Sequence, residues 1–330
     1  MKSTKATCMQ MCPIEEINIR QKQNLVHRLE CTSTNNCDKK KMVKSFCRSA
    51  AGISMNKPSL LRPPQILIDT ITYLIKEILP QNDVSFIQIY DFINDRLQSV
   101  RQDATIQQVS DIEWLIILPP IVRFYAYSAY RCYKYDLNHF DPFLNKKNFD
   151  ECILKILKIL VNDNKESSVD NLCSEMVSLL VVANLGNYHI LQQVLPFITK
   201  KHNLIHKAVM LSLNIMNGYF GKITKFFDQF PILHLCIIAV QLPGFRQQIL
   251  KAISISYNSK NNYLPINFLK KLMLHNNEEE TKNECHHYGL KIINDKVEVT
   301  KTLLKTDVKE VQCLKELKFD ENICSIILNA

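Results

Sequence analysis

Residues 90–107 read YDFINDRLQSVRQDATIQ, and this stretch combines an apolar stripe with an unusual set of charges. The apolar side chains recur at three- and four-residue spacing, at Ile89, Ile93, Leu97 and Val100. That spacing predicts an amphipathic helix packed against a core. Its most prominent charged residues are Arg96, Arg101 and Asp103. Because a buried arginine needs an anionic partner, we expect these three to form a structural network, with a surface salt-bridge ladder as the alternative.

A second unusual stretch, TCMQMCP at 7–13, places two cysteines four residues apart, and a proline follows the second. It has three interpretations: half of a metal site, a redox pair or the structural start of a helix. A structural zinc site needs four ligands and a redox pair is normally C-x-x-C. The further candidate ligands are His27, Cys31, Cys37 and Cys47. We predict a structural role, with Pro13 at the first helical position, packed Cys8 and Cys12 thiols, and no metal or cofactor.

The composition of the 330 residues narrows the class of protein. Apolar residues make up 46%, but only 6 glycines occur, and neither GxGxxG nor GxxxxGK[ST] is present. This argues against glycine-rich nucleotide-binding folds. The N-terminus has no apolar signal region, and apolar stretches such as 232–243 are too short to span a bilayer. We therefore expect a cytosolic or nuclear chain whose cysteines stay reduced.

Most of the net charge of +9 lies near the N-terminus. Residues 1–62 hold 12 Lys and Arg against 4 Asp and Glu, whereas residues 63–330 hold 29 against 28. A basic arm on a nearly neutral body suggests a polyanion or an acidic protein as partner, and a solvated tail is the alternative.

The body of the chain reads as a series of amphipathic helices. We expect one helix over 14–30, one over 62–80, and another that resumes after Pro119 and Pro120 break the pattern. Seven more helices, most with Gly, Pro or Asn stop signals, are expected between residues 148 and 258. Short helices with short links indicate stacked helix pairs, so the predicted fold class is mainly α, with a tetratricopeptide-like array.

The pattern changes after residue 260. A helix in LPINFLKKLML is followed by a helix in NEEETKNECHHYGL, and KIINDKVEVTK reads as a strand, an Asn-Asp turn and a strand. Helix, helix, hairpin is the order of a winged-helix module. The predicted organisation is a basic segment, a helical array, a winged-helix module and a mostly helical tail, at 1–62, 63–260, 261–300 and 301–330.

Lysines of the winged-helix segment are candidates for weak nucleic-acid binding without sequence preference. They are Lys270, Lys271, Lys282, Lys291 and Lys296. Because neutralised phosphates release counterions, such binding is expected to be steeply salt-dependent. The alternative is a solvated basic surface.

No catalytic constellation is visible in the sequence. His286 and His287 are adjacent and point about 100° apart on a helix, while His202 and His206 lack an HExxH context. No GxSxG motif occurs either. We therefore expect a non-enzymatic protein, with a zinc- or thiol-dependent enzyme as the disfavoured alternative.

Three stretches together resemble the signature of the Sac-three/GANP family (germinal-centre-associated nuclear protein). They are TCMQMCP with Arg20, LRPP at 61–64, and DRLQSVRQDATIQ at 95–107. NGYFGKITKFF at 217–227 and the helix pair after residue 263 are also similar to the family, so the resemblance covers roughly residues 4–300. The residues assigned to its structural motif are Cys8, Cys12, Pro13, Arg20, Arg62, Arg96, Arg101 and Asp103. The chain departs from the pattern at Ile14, Gln98, Ala104 and Tyr125.

The resemblance implies a non-enzymatic scaffold whose helical array is akin to PCI (proteasome–COP9–initiation factor) modules and ends in a winged helix. In the large members, this region docks a PCI-domain subunit and a small acidic Dss-type peptide, and the assembly binds RNA in mRNA export at nuclear pores. Since the chain is short, we expect it to resemble the stand-alone branch linked to centrosome duplication and the mitotic spindle. Nuclear export is the first expectation and a centrosome and spindle role is the alternative.

Overall fold

The structure is a computed structural model. It describes residues 5–31, 38–47, 57–162, 170–198, 202–259, 262–299, 304–305, 307–319 and 322–329. Over these ranges the chain is mainly helical, as the sequence predicts. It divides into two compact units, the first formed by Met1–Tyr125, Glu151–Ile159 and Asp320–Ala330, and the second by Ala126–Asp150 and Leu160–Phe319. The four predicted segments stay predictions.

The helices over the described residues follow each other in chain order. They are α1 (Ile14–Lys22), α2 (Pro64–Tyr73), α3 (Phe86–Gln107), α4 (Asp111–Arg131), α5 (Pro142–Asn162), α6 (Asp170–Val182), α7 (Tyr188–Val194), α8 (Asn203–Met216), α9 (Ile223–Phe227), α10 (Ile232–Ser256), α11 (Ile266–Leu272), α12 (Glu278–His287) and α13 (Ile323–Leu328). Three short strands are β1 (Tyr263–Pro265), β2 (Lys291–Ile293) and β3 (Lys296–Glu298). No helix within the described ranges combines the length and apolarity needed to cross a membrane.

The first helix is shorter than the sequence predicts. The expected helix over 14–30 ends at Lys22, because Asn24 adopts a left-handed backbone with φ of 54°. A separate 3₁₀ turn then forms at Arg28–Glu30. Pro13 has extended backbone angles and lies one position before the first helical residue, so it caps α1 rather than beginning it. Pro13 still marks the start of the helix.

Prolines interrupt the helices less than the sequence suggests. The helix α4 runs through Pro119 and Pro120, and every residue from 117 to 128 is buried. The helix α10 likewise runs through the buried Pro243, so two of the seven expected helices are one. A proline costs a helix about 3 kcal/mol or more, and burial of the flanking apolar side chains offsets that cost.

Within the second unit, α6 packs on α8 and on α10. Ser178 of α6 and His234 of α10 form a buried hydrogen bond of 2.7 Å between the hydroxyl and Nε2. The antiparallel sheet has the strand order β1-β3-β2. Asn294 and Asp295 turn the β2–β3 hairpin with φ of 49° and 56°, the two positive values that a type I′ turn requires. The predicted Asn-Asp hairpin is therefore present.

The sheet and the helices α11 and α12, here called the module (263–298), share one core with the end of α10. Buried Leu250, Leu269 and Val297 belong to this core. Partly buried side chains from before and after the module in the chain also pack on it, including Phe220, Leu304 and Val308. The described residues 304–305 and 307–319 form neither helix nor strand, contrary to the predicted tail, and helical structure returns at α13.

Candidate functional site

The two cysteines of TCMQMCP are part of the buried structure. Cys12 packs with Ile17 and Met42 in a small apolar cluster, and burial raises the pKa of its thiol far above the ordinary range. The Cys8 amide donates to the Leu61 carbonyl at 3.0 Å, which fastens the motif to the later segment. Because metal binding and redox exchange need a thiolate, a raised pKa disfavours both roles for Cys12.

The further candidate zinc ligands do not assemble with these cysteines into a metal centre within the described ranges. Across those residues, no group of three or more His, Cys, Asp and Glu side chains is arranged to hold an ion. Cys31 donates from its thiol to the His27 carbonyl at 3.5 Å, and Cys47 is exposed. Cys37 lies outside the described residues.

Glu30 is the centre of the first charge cluster, which consists of Glu30, Arg20, Arg96 and Asp95. Its fully buried carboxylate accepts hydrogen bonds from Arg20 and, at 3.3 Å, from Arg96. It also accepts one from the Val43 amide at 3.0 Å. Arg96 pairs with Asp95 in addition. Each buried ion loses the hydration that it has in water. The attraction of opposite charges and their hydrogen bonds must offset this loss.

Asp103 is the centre of the second charge cluster, which consists of Asp103, Lys44, Arg62 and Ser99. The fully buried Arg62 donates from Nε to Asp103 at 2.7 Å and from Nη2 to the Ser99 hydroxyl at 2.9 Å. Its Nη1 reaches the Met11 carbonyl at 3.2 Å. Lys44 donates to the other oxygen of Asp103 at 2.6 Å. The cluster thus joins TCMQMCP, the LRPP stretch and α3.

Both charge clusters use one face of α3. The polar residues on this face, spaced by three or four positions, are Arg96, Ser99, Asp103 and Gln107, and all four are buried. Their cationic partners come from the N-terminal segment 1–62, which the charge distribution predicts to be a basic arm. These partners are Arg20, Lys44 and Arg62. These three cations face anions of the chain itself, so part of the N-terminal charge is used inside the fold.

The three charged residues predicted as one network are distributed over three places. Arg96 belongs to the first charge cluster and Asp103 to the second. Arg101 donates to Glu151 of α5 at 2.7 Å, and the two side chains are 21% and 47% exposed. The difference follows from helical geometry, because residue 101 is turned away from the face that carries 96, 99 and 103.

Sequence reasoning missed the two partners that complete these clusters, Glu30 and Lys44. A local signal existed for Glu30, which lies three residues after His27, the spacing of a capping box. The His27 ring accepts from the Leu29 amide at 3.2 Å, and the His27 amide donates to Glu30 at 3.1 Å. Lys44 has no such signal, since its anion lies 59 positions away.

Two of the five candidate nucleic-acid lysines face carboxylates of the module. Lys282 lies 2.8 Å from Asp295, whose hydrogen bond raises the pKa of the lysine. Lys270 lies 3.8 Å from Glu278. Their charges are partly compensated, so they are weaker candidates for phosphate contact than the sequence suggests.

The other three lysines are exposed. Lys291 and Lys296 project from the outer face of the sheet, which we define as Tyr263, Lys291, Ile293, Lys296 and Glu298. Ile293 pairs with Lys296, and Lys291 pairs with Glu298, in the antiparallel register. The Tyr263 and Ile293 side chains are 41% and 48% exposed. Lysines beside an exposed aromatic ring are the side-chain types that bind single-stranded nucleic acid.

The helices of the module differ in charge. The first turn of α12 carries Glu278, Glu279 and Glu280, which repel phosphate. The helix α11 presents Phe268, 48% exposed, and the exposed Lys271 one turn later. The candidate interface therefore consists of α11 and the outer face of the sheet rather than α12.

Comparison with known proteins gives one consistent family. A model of the SAC3/GANP family matches residues 11–294. The chain is 27% identical to SAC3 family protein 1 of Schizosaccharomyces pombe, over 91% of this chain and 31% of that protein. It is 24% identical to Protein xmas of Drosophila melanogaster, over 88% of this chain and 15% of that protein. It is 23% identical to SAC3 family protein B of Arabidopsis thaliana, over 48% and 10%.

The chain spans about a third or less of the length of these curated relatives. The matched region includes both charge clusters, α11, α12 and β2. No catalytic family is indicated by these similarities. Because the family model matches most of the chain, and Arg20 with the stretches at 61–64 and 95–107 lies inside the match, the chain belongs to the SAC3/GANP family.

Proposed function

We propose that this chain is a non-enzymatic scaffold that docks a PCI-domain subunit and a small acidic Dss-type peptide, and that it contacts RNA, in nuclear mRNA export. The observation that carries the proposal is the module. Its elements follow the order β1, α11, α12, β2, β3, with the hairpin closing a three-stranded antiparallel sheet. That order is the one expected of a winged helix, and family membership supports the same interpretation.

The helices before the module suit a scaffold. The helices α6, α8 and α10 pack side by side, as in stacked helix pairs. The end of α10 contributes Ile249, Leu250 and Ile253 to the core of the module. A shared apolar core holds the module rigidly on the last helix, and a rigid surface lowers the entropy cost of docking a partner.

The RNA contact is assigned to the outer face of the sheet together with α11. Lysines there neutralise phosphates, and the Tyr263 and Phe268 rings offer stacking surfaces that every base can use. The three glutamates of α12 keep phosphates off the neighbouring helix. Such a face binds weakly and without sequence preference, and it gains affinity when a partner extends it.

Affinity purification of the tagged full chain tests the scaffold. Recovery of a PCI-domain subunit and an acidic Dss-type peptide in equal amounts supports the proposal. Recovery of centrosome and spindle components without a PCI-domain subunit would favour the centrosomal alternative. The control is the same purification with Asp103→Asn. Loss of the second charge cluster is expected to destabilise the fold and to reduce the recovery of all partners together.

RNA binding is tested with charge reversal on the exposed lysines. The double variant Lys271→Glu and Lys296→Glu should lose at least tenfold in affinity for a single-stranded RNA, and its salt dependence should become shallower. The matched control is Lys225→Glu, an exposed lysine of α9 outside the module. Equal affinity of the double variant and the control, with and without the partner, would contradict the assignment.

A further inference from the structure

The described residues 304–305 and 307–319, here called the strap, belong to the second unit and form neither helix nor strand. They contain one tight turn, in which the Cys313 amide donates to the Val311 carbonyl at 2.9 Å. Side chains of the body hold its main chain. The Tyr130 hydroxyl donates to the Lys315 carbonyl at 3.1 Å and accepts from the Leu317 amide at 2.9 Å. The Asn276 amide brackets the same stretch, donating to the Leu314 carbonyl at 3.1 Å and accepting from the Glu316 amide at 2.9 Å.

Two further body side chains bind strap carbonyls. Arg246 donates from Nη1 to the Cys313 carbonyl at 2.5 Å. The Nε2 atom of His287 lies 2.8 Å from the Lys309 carbonyl. Four side chains of the body thus recognise main-chain atoms of the strap over residues 309–317. Recognition through main-chain atoms does not depend on the sequence of the bound segment, as in other proteins that bind extended peptides.

Apolar contacts add a preference for particular side chains. Phe319 lies edge-on to Tyr127 and at a steep angle to Tyr130, with ring centroids 5.4 Å apart in both pairs. Val308 and Val311 pack, partly buried, on the core of the module. The pattern that this surface selects is therefore two branched aliphatic residues three positions apart, with an aromatic residue eight positions after the second.

The strap and the surface beneath it differ in burial. None of the described strap residues is buried, whereas Arg246 and Tyr288 beneath it are fully buried. Few buried contacts mean that the strap opens at a lower free energy than the body. Opening leaves Arg246 bonded to the carbonyls of Met273 at 2.7 Å and Leu274 at 3.1 Å, and 4.0 Å from the Glu284 carboxylate, so its charge stays compensated. These contacts of Arg246 do not require the strap.

We propose that the surface bounded by Tyr130, Arg246, Asn276 and His287 is a peptide-binding groove, and that the strap is its intramolecular ligand. The external ligand is an extended segment of a partner protein with the same pattern, two branched aliphatic residues followed by an aromatic one. The two compete, so the strap regulates access to the groove. None of these four residues belongs to the proposed RNA-contacting face, and the inference does not depend on that face.

The test uses the full chain with a weakened strap. The double variant Val311→Asp and Phe319→Ala removes strap contacts and leaves every groove residue in place. A fluorescent peptide with the sequence of residues 304–319 should bind this variant at least tenfold more tightly than the wild-type chain, as measured by fluorescence anisotropy. The matched control is Lys318→Ala, an exposed strap residue, which should bind the peptide as the wild type does. A peptide carrying the same two substitutions should bind neither chain.

Equal peptide affinity of the folded double variant and the wild type would overturn the proposal. So would a dimer of the double variant held together by exchanged straps. If the double variant fails to fold, hydrogen exchange on the wild-type chain tests whether the strap opens separately from the body. The Glu316 and Leu317 amides should exchange at least tenfold faster than the Leu290 amide, which is bonded to the Cys285 carbonyl at 2.9 Å. Exchange of all three only through global unfolding would show that the strap is a permanent part of the fold.

Discussion

The N-terminal segment and the module both carry several basic side chains, but these side chains lie in opposite environments. Arg20, Lys44 and Arg62 are buried and each is bonded to a carboxylate of the same chain. In the module, Lys271 and Lys296 are exposed on the surface. The first set stabilises the arrangement of the N-terminal segment on α3, and the second is available to a partner.

The difference shows that net charge alone does not identify a binding surface. The N-terminal segment has the larger positive excess, and the exposed cations it retains include the turn at Lys39–Lys41. Its family motif residues Arg20 and Arg62, however, serve the fold. The module has no positive excess, since its five lysines face six Asp and Glu residues. It nevertheless places lysines beside exposed aromatic rings. The two groups of cations differ in their burial and in whether a carboxylate of the same chain binds them. The number of positive charges in each region does not show this difference.

The largest expected effect is on the second charge cluster. Arg62→Ala leaves Asp103 buried with Lys44 as its remaining cation, and breaking a buried ion pair costs roughly 3–5 kcal/mol. We expect a loss of that size in the free energy of unfolding, measured by urea denaturation. The matched control is Lys57→Ala, an exposed lysine of the same segment, which should change stability by less than about 0.5 kcal/mol. An unchanged urea midpoint for Arg62→Ala would remove the contrast between the two regions.

The next effect concerns a buried group that has no ionic partner. Burial lowers the pKa of His234 to about 3 from its ordinary 6.5, so the ring is neutral in the folded chain. Below pH 6.5 the unfolded chain takes up a proton that the folded chain does not. The free energy of unfolding should therefore fall by roughly 1.4 kcal/mol per pH unit between about pH 6.5 and pH 3, and be independent of this group above that window.

The variant His234→Gln isolates this contribution. Its unfolding free energy, measured in urea at several pH values from 7.5 to 4.5, should fall less steeply than that of the wild type. Other carboxylates and histidines titrate in both proteins and cancel in the difference. Parallel pH profiles would mean that His234 is protonated in the folded chain.

A smaller effect is expected at Arg101. Its partner Glu151 is 47% exposed, and pairs of this kind contribute about 0–1 kcal/mol. Arg101→Ala should lower the free energy of unfolding less than Arg62→Ala does, and a double-mutant cycle with Glu151→Ala should give about 1 kcal/mol or less for this pair alone. A loss as large as that of Arg62→Ala would place Arg101 with the buried clusters instead.

The smallest effect on stability is expected at the module surface. Lys271→Glu and Lys296→Glu should together leave the melting temperature almost unchanged, since exposed substitutions usually alter stability by less than about 0.5 kcal/mol each. The same variants should weaken RNA binding as described above. A marked loss of stability would show that these lysines belong to the fold, as those of the N-terminal segment do.

Local patterns in the sequence predicted many elements well. The stripe at Ile89, Ile93 and Leu97 became the buried face of α3, and the Asn294-Asp295 pair became the turn of the hairpin. Predictions that relied on a single breaker were wrong at Pro119 and Pro243, where helices continue. A proline disfavours the helix over only a few residues around it. Burial of many neighbouring apolar side chains outweighs this local effect.

The sequence by itself determined the mainly helical class, the family, and the positions of the helix–helix–hairpin elements, because these depend on periodicity and on short motifs. Tertiary structure decided which charges meet. Arg96 and Asp103 lie seven positions apart on one helix, yet Glu30 pairs with the first and Arg62 with the second, 66 and 41 positions away. It also decided that the described residues of the strap are not helical. Pairing over such distances depends on how the chain packs, and no local pattern encodes it.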